Sequence, residues 1–89
     1  MAKDLPSIKA EVKAYLLKEF LPGENPEALQ DSTPLITGGI LDSISTVKLV
    51  SFLEEQFGVE FQAHEMNADY LDSIDRIAEC VHAKLTGEG

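Results

Sequence analysis

Seven residues decide how this chain is organised: Gly38-Gly39-Ile40-Leu41-Asp42-Ser43-Ile44. Two glycines precede an apolar pair, and Asp-Ser follows at the start of an amphipathic run that extends to Phe57. The N-terminus of a helix presents free backbone N–H groups and the positive end of the helix dipole. The pattern therefore predicts that Asp42 caps a helix and that Ser43 lies in its first turn, where an anionic group is favoured. Taken alone, a serine in this position is more often a plain helix cap.

Apolar residues that recur at steps of three and four predict three substantial helices. The predicted spans are Asp4 or Ser7 to Phe20, Asp42 to Phe57, and Asp72 or Ser73 to the residue before Gly87. Leu21-Pro22-Gly23 is expected to end the first helix, and Gly58 fits the left-handed position that ends the second. No stretch of useful length shows the alternation of a strand.

The segments between these helices predict a long loop and one short helical segment. Residues 21–41 carry three prolines and three glycines, and a loop of this length is uncommon unless it is functional or packs on the body. Within it, Ala28-Leu29 is compatible with a helical turn and Thr33-Pro34-Leu35 with an extended anchor. Later in the chain, Val59-Glu60-Phe61 fits an extended link and Gln62 to Met66 one or two helical turns.

These segments together predict an all-α fold. We expect a small four-helix bundle with three main helices, a short third helix and a long loop between helices 1 and 2. The length favours a single domain over residues 1–89, with an ordered core of about residues 5–86.

The second helix is predicted to have two apolar faces. Its buried stripe comprises Val47, Leu49, Val50, Leu53 and Phe57. A separate row on the other side comprises Ile44, Lys48 and Phe52. Such a row is expected either to contact a partner or to be covered by a later segment. The last helix has an apolar face of Ile74, Ile77, Ala78, Val81 and Leu85, with Tyr70 and Leu71 packing at its entry.

The charge of the chain limits its partners. The formal net charge is −9 and the pI is near 4.4. Between Glu19 and Asp75 there are twelve acidic residues and one base, Lys48. Nucleic acid is therefore a poor partner, and the acidic surface either keeps the protein soluble or docks onto basic patches of other proteins. No apolar run reaches the roughly 20 residues of a membrane span, and the first residues lack a signal-peptide core, so a cytoplasmic protein is expected.

Several kinds of chemistry are disfavoured by the residue pattern. Cys80 has no cysteine partner and no metal-ligand spacing with the histidines, so a partly buried structural thiol is expected. Asp69, Asp72 and Asp75 are spaced by three rather than the two of an EF-hand loop, and fit better as acids in the first turn of the last helix. Neither histidine lies near Ser43 in sequence, so no enzymatic activity is expected.

Three segments in the middle of the chain form a pattern, which the helices before and after them extend over nearly the whole chain. They are Asp31-Ser32-Thr33-Pro34-Leu35, Gly39-Ile40-Leu41-Asp42-Ser43-Ile44 with Thr46-Val47-Lys48-Leu49-Val50, and Leu53-Glu54-Glu55-Gln56-Phe57-Gly58-Val59. With the helix before them and a last helix that begins at Asp69-Tyr70-Leu71-Asp72-Ser73-Ile74, they resemble the acyl carrier protein family. The Gly-Ile-Leu-Asp-Ser form and the Asp-Tyr before the last helix are more similar to peptidyl and D-alanyl carriers than to fatty-acid synthase carriers.

The resemblance implies a function centred on Ser43. In such a carrier, a phosphopantetheinyl transferase attaches the 4′-phosphopantetheine of coenzyme A to this serine, and the arm holds an acyl or aminoacyl group as a thioester. Asp42 would cap the helix and assist transfer, and Gly39 would permit the bend ahead of the site. The face that partners read would comprise Ile44, Val47, Lys48, Ser51 and Phe52, with Glu54 and Glu55 as its acids.

The resemblance also implies partners, and here the chain departs from the family pattern. The residues that match Ser45 and Lys48 are usually acidic in fatty-acid carriers and help basic enzymes to dock. One is neutral and one is positive in this chain, which favours a dedicated loading ligase or synthetase and a downstream transferase. The carrier is expected to be monomeric. Fatty acyl, aminoacyl, aryl and malonyl groups all suit the same arm, and the loading enzyme chooses among them.

The chain holds a second copy of the four central letters, Leu71-Asp72-Ser73-Ile74. Ser73 also lies at a predicted helix start, but it follows a short segment instead of the long loop, so capping the last helix suffices as its role. A rival to the carrier hypothesis is an acidic helical module that binds one protein through the row of Ile44, Lys48 and Phe52, without a covalent cofactor.

Overall fold

The computed structural model describes residues 4–20, 23, 27 and 29–87. Its helices are α1 Leu5–Glu19, α2 Ser43–Phe57, α3 Ala68–Leu71 and α4 Ile74–Thr86, with a 3-10 turn at Ala63–Glu65 between α2 and α3. The described residues contain no strand. The predicted all-α bundle with a short third helix is confirmed. The predicted helix stop at Leu21-Pro22 and the turn at Ala28 lie outside the described residues.

Side-chain caps fix where the helices begin. The Asp4 carboxylate accepts a hydrogen bond from the Ser7 N–H at 3.0 Å, and Asn67 accepts from the Asp69 N–H at 2.9 Å. At their C-terminal ends, α2 stops at Gly58 and α4 at Gly87, both in the left-handed conformation. These caps confirm the predicted bounds of the three main helices to within two residues.

The core lies where α1 packs against α4, and α2 and the long loop close it. Buried side chains from the helices are Ile8, Val12, Leu16, Leu49, Val50, Leu53, Phe57, Leu71, Ile74, Ile77, Ala78 and Val81. Three leucines of the loop, Leu29, Leu35 and Leu41, are also buried. Because a leucine is buried about every six residues, the long loop is packed on the body of the domain along its described length.

Two burial predictions need correction. Val47 was expected in the buried stripe of α2 but is 51% exposed, and Thr46 is buried in its place. The four-residue α3 is too short to cover this side of α2, and the Thr46 hydroxyl is held inward by a hydrogen bond to the Asp42 carbonyl at 2.7 Å. Tyr70 is exposed rather than packed at the entry of α4. Leu85 is partly buried and packs against the core, as its place on the apolar face of α4 predicts.

An ion pair of low exposure ties the 3-10 turn to α4. Lys84 Nζ lies 2.8 Å from Glu65 Oε1, which also accepts the Gln62 N–H at 2.8 Å. Although burial opposes ionisation, the hydrogen bonds from Lys84 and Gln62 hold the pKa of Glu65 below its ordinary value. The Cys80 thiol lies 3.8 Å from Glu65 Oε2, and burial raises its pKa. Cys80 is thus the partly buried thiol that the sequence predicted.

Candidate functional site at the start of α2

Ser43 is the first residue of α2 and is exposed. The residue before it, Asp42, is extended (φ −94°, ψ −172°), and its Oδ1 accepts a hydrogen bond from the Ser45 N–H at 2.7 Å. The Asp42 carbonyl accepts the Thr46 N–H at 2.9 Å. Within the part of the chain that the structure describes, the Ser43 hydroxyl makes no hydrogen bond. The cap therefore holds the helix start in place while the Ser43 hydroxyl stays free to react.

The electrostatics of this helix start favour an anion. Hydrogen bonds from the Ser45 N–H lower the pKa of Asp42, so its carboxylate is ionised and engaged at neutral pH. The N–H groups of the first helical residues, Ser43 and Ile44, have no intrahelical acceptor. Together with the helix dipole, these N–H groups provide a favourable position for a phosphodiester bonded to the Ser43 oxygen.

Two glycines shape the approach to Ser43. Gly39 has a φ of +82°, and its N–H donates to the Ile36 carbonyl at 3.1 Å, which turns the chain ahead of the helix. A β-carbon on Gly38 would lie 2.2 Å from the Pro34 carbonyl oxygen, so no side chain fits there. The bend expected at Gly39 is present, and Gly38 is required by the close approach of Pro34.

A contact that the sequence did not predict fixes the same loop from the opposite side of the domain. Asp72 Oδ1 accepts the N–H groups of Ile36 at 2.8 Å and Thr37 at 2.9 Å, and its Oδ2 accepts the Thr37 hydroxyl at 2.9 Å. The Asp72 carbonyl also accepts the Leu35 N–H. These bonds span 35 to 37 positions in sequence, so no local pattern could have indicated them.

The expected placement of the three spaced aspartates is therefore only partly right. Asp75 lies in the first turn of α4, as predicted, but Asp69 lies in the first turn of α3. Asp72 precedes α4 and binds the loop. One clue was present in the sequence: Ser73 alone is sufficient to cap α4, which leaves the neighbouring Asp72 carboxylate available for another contact.

The second Asp-Ser pair has a different geometry. Ser73 is 8% exposed, and its hydroxyl oxygen accepts the Arg76 N–H at 3.2 Å. The prediction that Ser73 caps the last helix is confirmed. A buried serine engaged as a cap is a poor attachment point for a large group.

A comparison with protein-family models adds an independent finding. The model described as a phosphopantetheine attachment site matches residues 16–81, from within α1 to within α4. The chain belongs to the phosphopantetheine attachment-site family. Members of this family bind 4′-phosphopantetheine, which confirms the predicted cofactor. A search of curated proteins finds no match for the chain.

The matched range contains both Ser43 and Ser73, so the family match does not choose between them. The geometry bears on that choice. Ser43 combines an exposed hydroxyl with a helix N-terminus, whereas Ser73 is buried and bonded. The residues around Ser43 therefore fit the phosphodiester of the family's cofactor.

An open groove of about 540 Å³ begins at Ser43. One wall is α2, and the other is the segment between the 3-10 turn and α3. It is lined by Ile36, Leu41, Asp42, Ser43, Thr46, Val47, Met66, Asn67 and Ala68. Five of the nine are apolar; of the polar ones, Asp42, Ser43 and Thr46 lie at the start of α2 and Asn67 caps α3. A flexible arm linked to Ser43 would therefore have an apolar surface beside it, to which the exposed Val47 contributes.

The residues predicted to face partners fall into two groups. Ile44 is 69% exposed and Val47 is 51% exposed, and Lys48, Ser51 and Glu55 are exposed beside them. We call Ile44, Val47, Lys48 and Ser51 the exposed face of α2. These four residues and Ser43 lie on the same half of the helix.

Phe52 and Glu54 have structural contacts instead. The Phe52 ring stacks on Tyr15 with centroids 4.0 Å apart, and Glu54 Oε2 accepts the Phe61 N–H at 2.9 Å. The predicted row of Ile44, Lys48 and Phe52 is therefore split: its first two members are exposed, and α1, rather than a later segment, covers the third. Tyr15 also donates its hydroxyl to the Lys48 carbonyl at 3.3 Å, which joins α1 to α2 below the exposed face.

No helix among the described residues has the length and apolar character needed to cross a membrane. Within the same residues, no group of three or more His, Cys, Asp or Glu side chains is placed to hold a metal ion.

Proposed function

We propose that this chain is an acyl carrier protein whose attachment residue is Ser43. The observation that carries the proposal is the pairing of an exposed, unbonded Ser43 hydroxyl with a capped helix N-terminus, in a chain of the phosphopantetheine attachment-site family. In this function the chain acts as one carrier unit, and its partner enzymes supply the catalytic groups.

The attachment step uses the hydroxyl of Ser43 as its nucleophile. In the reaction of a phosphopantetheinyl transferase, the Ser43 oxygen forms a bond to the phosphorus that bears the pantetheine of coenzyme A. The phosphoanhydride bond breaks, adenosine 3′,5′-bisphosphate leaves, and the hydroxyl proton passes to a base of the transferase. Asp42 keeps the helix start ordered, so that Ser43 is presented in a defined orientation.

The arm, once attached, supplies a thiol that holds an acyl or aminoacyl group as a thioester. The contribution of this chain is to tether and present that group, which raises its effective concentration at each partner's active site. The open groove beside Ser43 gives the arm an apolar surface along which to lie when no partner is bound.

The exposed face of α2 is the proposed docking surface. Ile44 and Val47 offer apolar contact area within one turn of Ser43, and Lys48 places a positive charge next to them. A partner for this surface needs an apolar recess and an acidic or neutral rim opposite Lys48. This charge favours a dedicated ligase or synthetase, of the kind that loads peptidyl or D-alanyl carriers, over the basic enzymes that dock on acidic carriers.

The rival function is an interaction module without a covalent group. The exposed pair of Ile44 and Val47 favours it to the same degree, because an apolar patch binds a partner with or without an arm. The two functions differ in whether Ser43 is modified.

Intact-mass analysis after incubation with a promiscuous phosphopantetheinyl transferase and coenzyme A separates them. We expect a single phosphopantetheine addition to the wild-type chain, none to Ser43→Ala, and full addition to the matched control Ser73→Ala. Absence of addition to the wild type would support the interaction module. Addition that persists in Ser43→Ala would remove Ser43 as the attachment residue.

A further inference from the structure

The loop that leads to Ser43 is held by one carboxylate. Asp72 accepts the N–H groups of Ile36 and Thr37 and the Thr37 hydroxyl, all at 2.8 to 2.9 Å. Both loop residues lie just before the glycine pair that turns the chain toward α2. Among the described residues, no other side chain outside the loop forms a hydrogen bond with residues 35–41.

Only a short, compact stretch of chain separates the residues bound by Asp72 from Ser43. The Leu41 N–H donates to the Leu35 carbonyl at 2.8 Å, which closes residues 35–41 into a compact loop. Asp42 follows directly and caps α2. The only residues between the anchored Thr37 and the cap are the two glycines, Ile40 and Leu41, and Leu41 is buried.

Asp72 is not needed for the helix that it precedes. Ser73 supplies the cap of α4, and Asp72 is the C-cap of α3, the residue that directly follows Leu71. The hydrogen bonds of the Asp72 carboxylate are therefore all to residues 36 and 37, with a smaller attraction from Arg76 beside them.

We propose that Asp72 is a positioning residue for the modification of Ser43, acting through the loop of residues 35–41. The inference rests on the proposed function, since it assumes that a transferase modifies Ser43. Asp72 does not contact Ser43. Its carboxylate keeps the loop in the conformation that presents the helix start to the transferase.

The expected kinetic signature follows from this role. Without the carboxylate, the loop samples several conformations, and only a fraction of molecules presents Ser43 correctly. The apparent affinity for the transferase falls by that fraction, while a carrier that has docked reacts normally. We therefore expect Asp72→Ala to raise the KM of the carrier by about fivefold at an unchanged kcat.

The test compares three variants in a time course of pantetheinylation followed by intact mass. Asp72→Ala removes all three side-chain hydrogen bonds. Asp72→Asn keeps an oxygen that can accept both N–H groups and should restore most of the wild-type KM. Ser73→Ala is the matched control, because it removes the neighbouring cap and destabilises α4 but leaves the bonds to Ile36 and Thr37 in place. Its KM should equal that of the wild type.

Each outcome decides the proposal. A KM that rises in Asp72→Ala, recovers in Asp72→Asn and stays constant in Ser73→Ala supports it. Equal KM values for Asp72→Ala and the wild type overturn it, as does an equal rise in Ser73→Ala, which would indicate general destabilisation. Failure of the wild type to be modified at all would instead refute the proposed function.

A second variant applies if Asp72→Ala does not fold by circular dichroism. Thr37→Val removes one of the three bonds from the exposed loop and leaves α4 untouched. Its KM should rise about twofold. An unchanged KM in folded Thr37→Val would then overturn the proposal.

Discussion

The segments Leu41–Ile44 and Leu71–Ile74 have the same four residues and different structures. Both leucines are buried, with exposures of 2% and 0%. The isoleucines differ most, since Ile44 is 69% exposed and Ile74 is fully buried. The serines differ as well: Ser43 is exposed in the first turn of a helix, and Ser73 is a buried cap.

A shift of one residue in the helix start accounts for the difference. In the first copy the aspartate is the N-cap, so Ser43 is the first helical residue and Ile44 the second. In the second copy the serine is the N-cap, and Ile74 is the first. Because successive residues of a helix are rotated by about 100°, this shift moves the isoleucine to a different side of the helix relative to the start.

Long-range contacts determine which residue caps. Asp72 ends α3 and binds the loop through its carboxylate, so it is not available to cap α4. Asp42 follows a loop and has no such contact among the described residues, so its carboxylate accepts the Ser45 N–H. Identical local sequence therefore yields one exposed serine with an unbonded hydroxyl and one buried serine that caps a helix.

The largest expected difference between the two copies concerns their isoleucines. Ile74→Ala should lower the free energy of unfolding by about 3 kcal/mol, because it leaves a cavity in the core. Ile44→Ala removes an exposed side chain and should change it by less than about 0.5 kcal/mol. Chemical denaturation of both variants measures this contrast. Similar losses of unfolding free energy in the two variants would mean that Ile44 is buried in solution.

A second contrast concerns the glycine pair Gly38 and Gly39, which precedes the first copy and has no counterpart before the second. Gly39→Ala places a β-carbon at a φ of +82° and should cost about 1 kcal/mol of unfolding free energy. Gly38→Ala should cost more, because the β-carbon meets the Pro34 carbonyl oxygen. Urea unfolding gives the order, and a neutral Gly38→Ala would contradict the close approach of Pro34.

The serines give a smaller difference in stability. Ser73→Ala loses a helix cap and should cost about 1 kcal/mol. Ser43→Ala breaks no described hydrogen bond and should be neutral within about 0.5 kcal/mol. The midpoint of thermal unfolding distinguishes the two, and a large loss in Ser43→Ala would show a structural role for its hydroxyl.

The aspartates should differ least, because hydrogen bonds from backbone N–H groups lower the pKa of both. For Asp72 the main cause is the Thr37 N–H, with a smaller attraction from Arg76. A lowered folded pKa adds stability above the unfolded value, and this stability is lost as the pH falls below about 4. Asp72→Asn and Asp42→Asn should each flatten the fall in stability between about pH 5 and pH 2. If the free energy of unfolding of a variant falls as steeply with decreasing pH as that of the wild type, the corresponding carboxylate does not make these hydrogen bonds in solution.

Local sequence was sufficient for much of the fold and for the candidate site. The side-chain caps at Asp42 and Ser73 and the helix ends at Gly58 and Gly87 all use partners within four residues. Apolar spacing along the chain likewise predicted most of the buried residues.

The features that sequence reasoning missed depend on distant contacts. The exposure of Val47 follows from how little of α2 the short α3 covers, and the covering of Phe52 follows from Tyr15 on α1. Glu54 Oε2 accepts the Phe61 N–H, a contact that the sequence did not predict. Asp72 binds residues 35 to 37 positions away. In each case a neighbour brought close by folding, and not an adjacent residue, decides the environment.

The sequence itself offers the most direct test of the central claim that the first copy is modified and the second is not. Trypsin cleaves after Lys18, Lys48 and Arg76, so Ser43 and Ser73 fall in separate peptides, residues 19–48 and 49–76. After pantetheinylation of the wild-type chain, we expect the added mass only on peptide 19–48, with fragment ions that place it on Ser43. Added mass on peptide 49–76, or on another residue of peptide 19–48, would contradict the account.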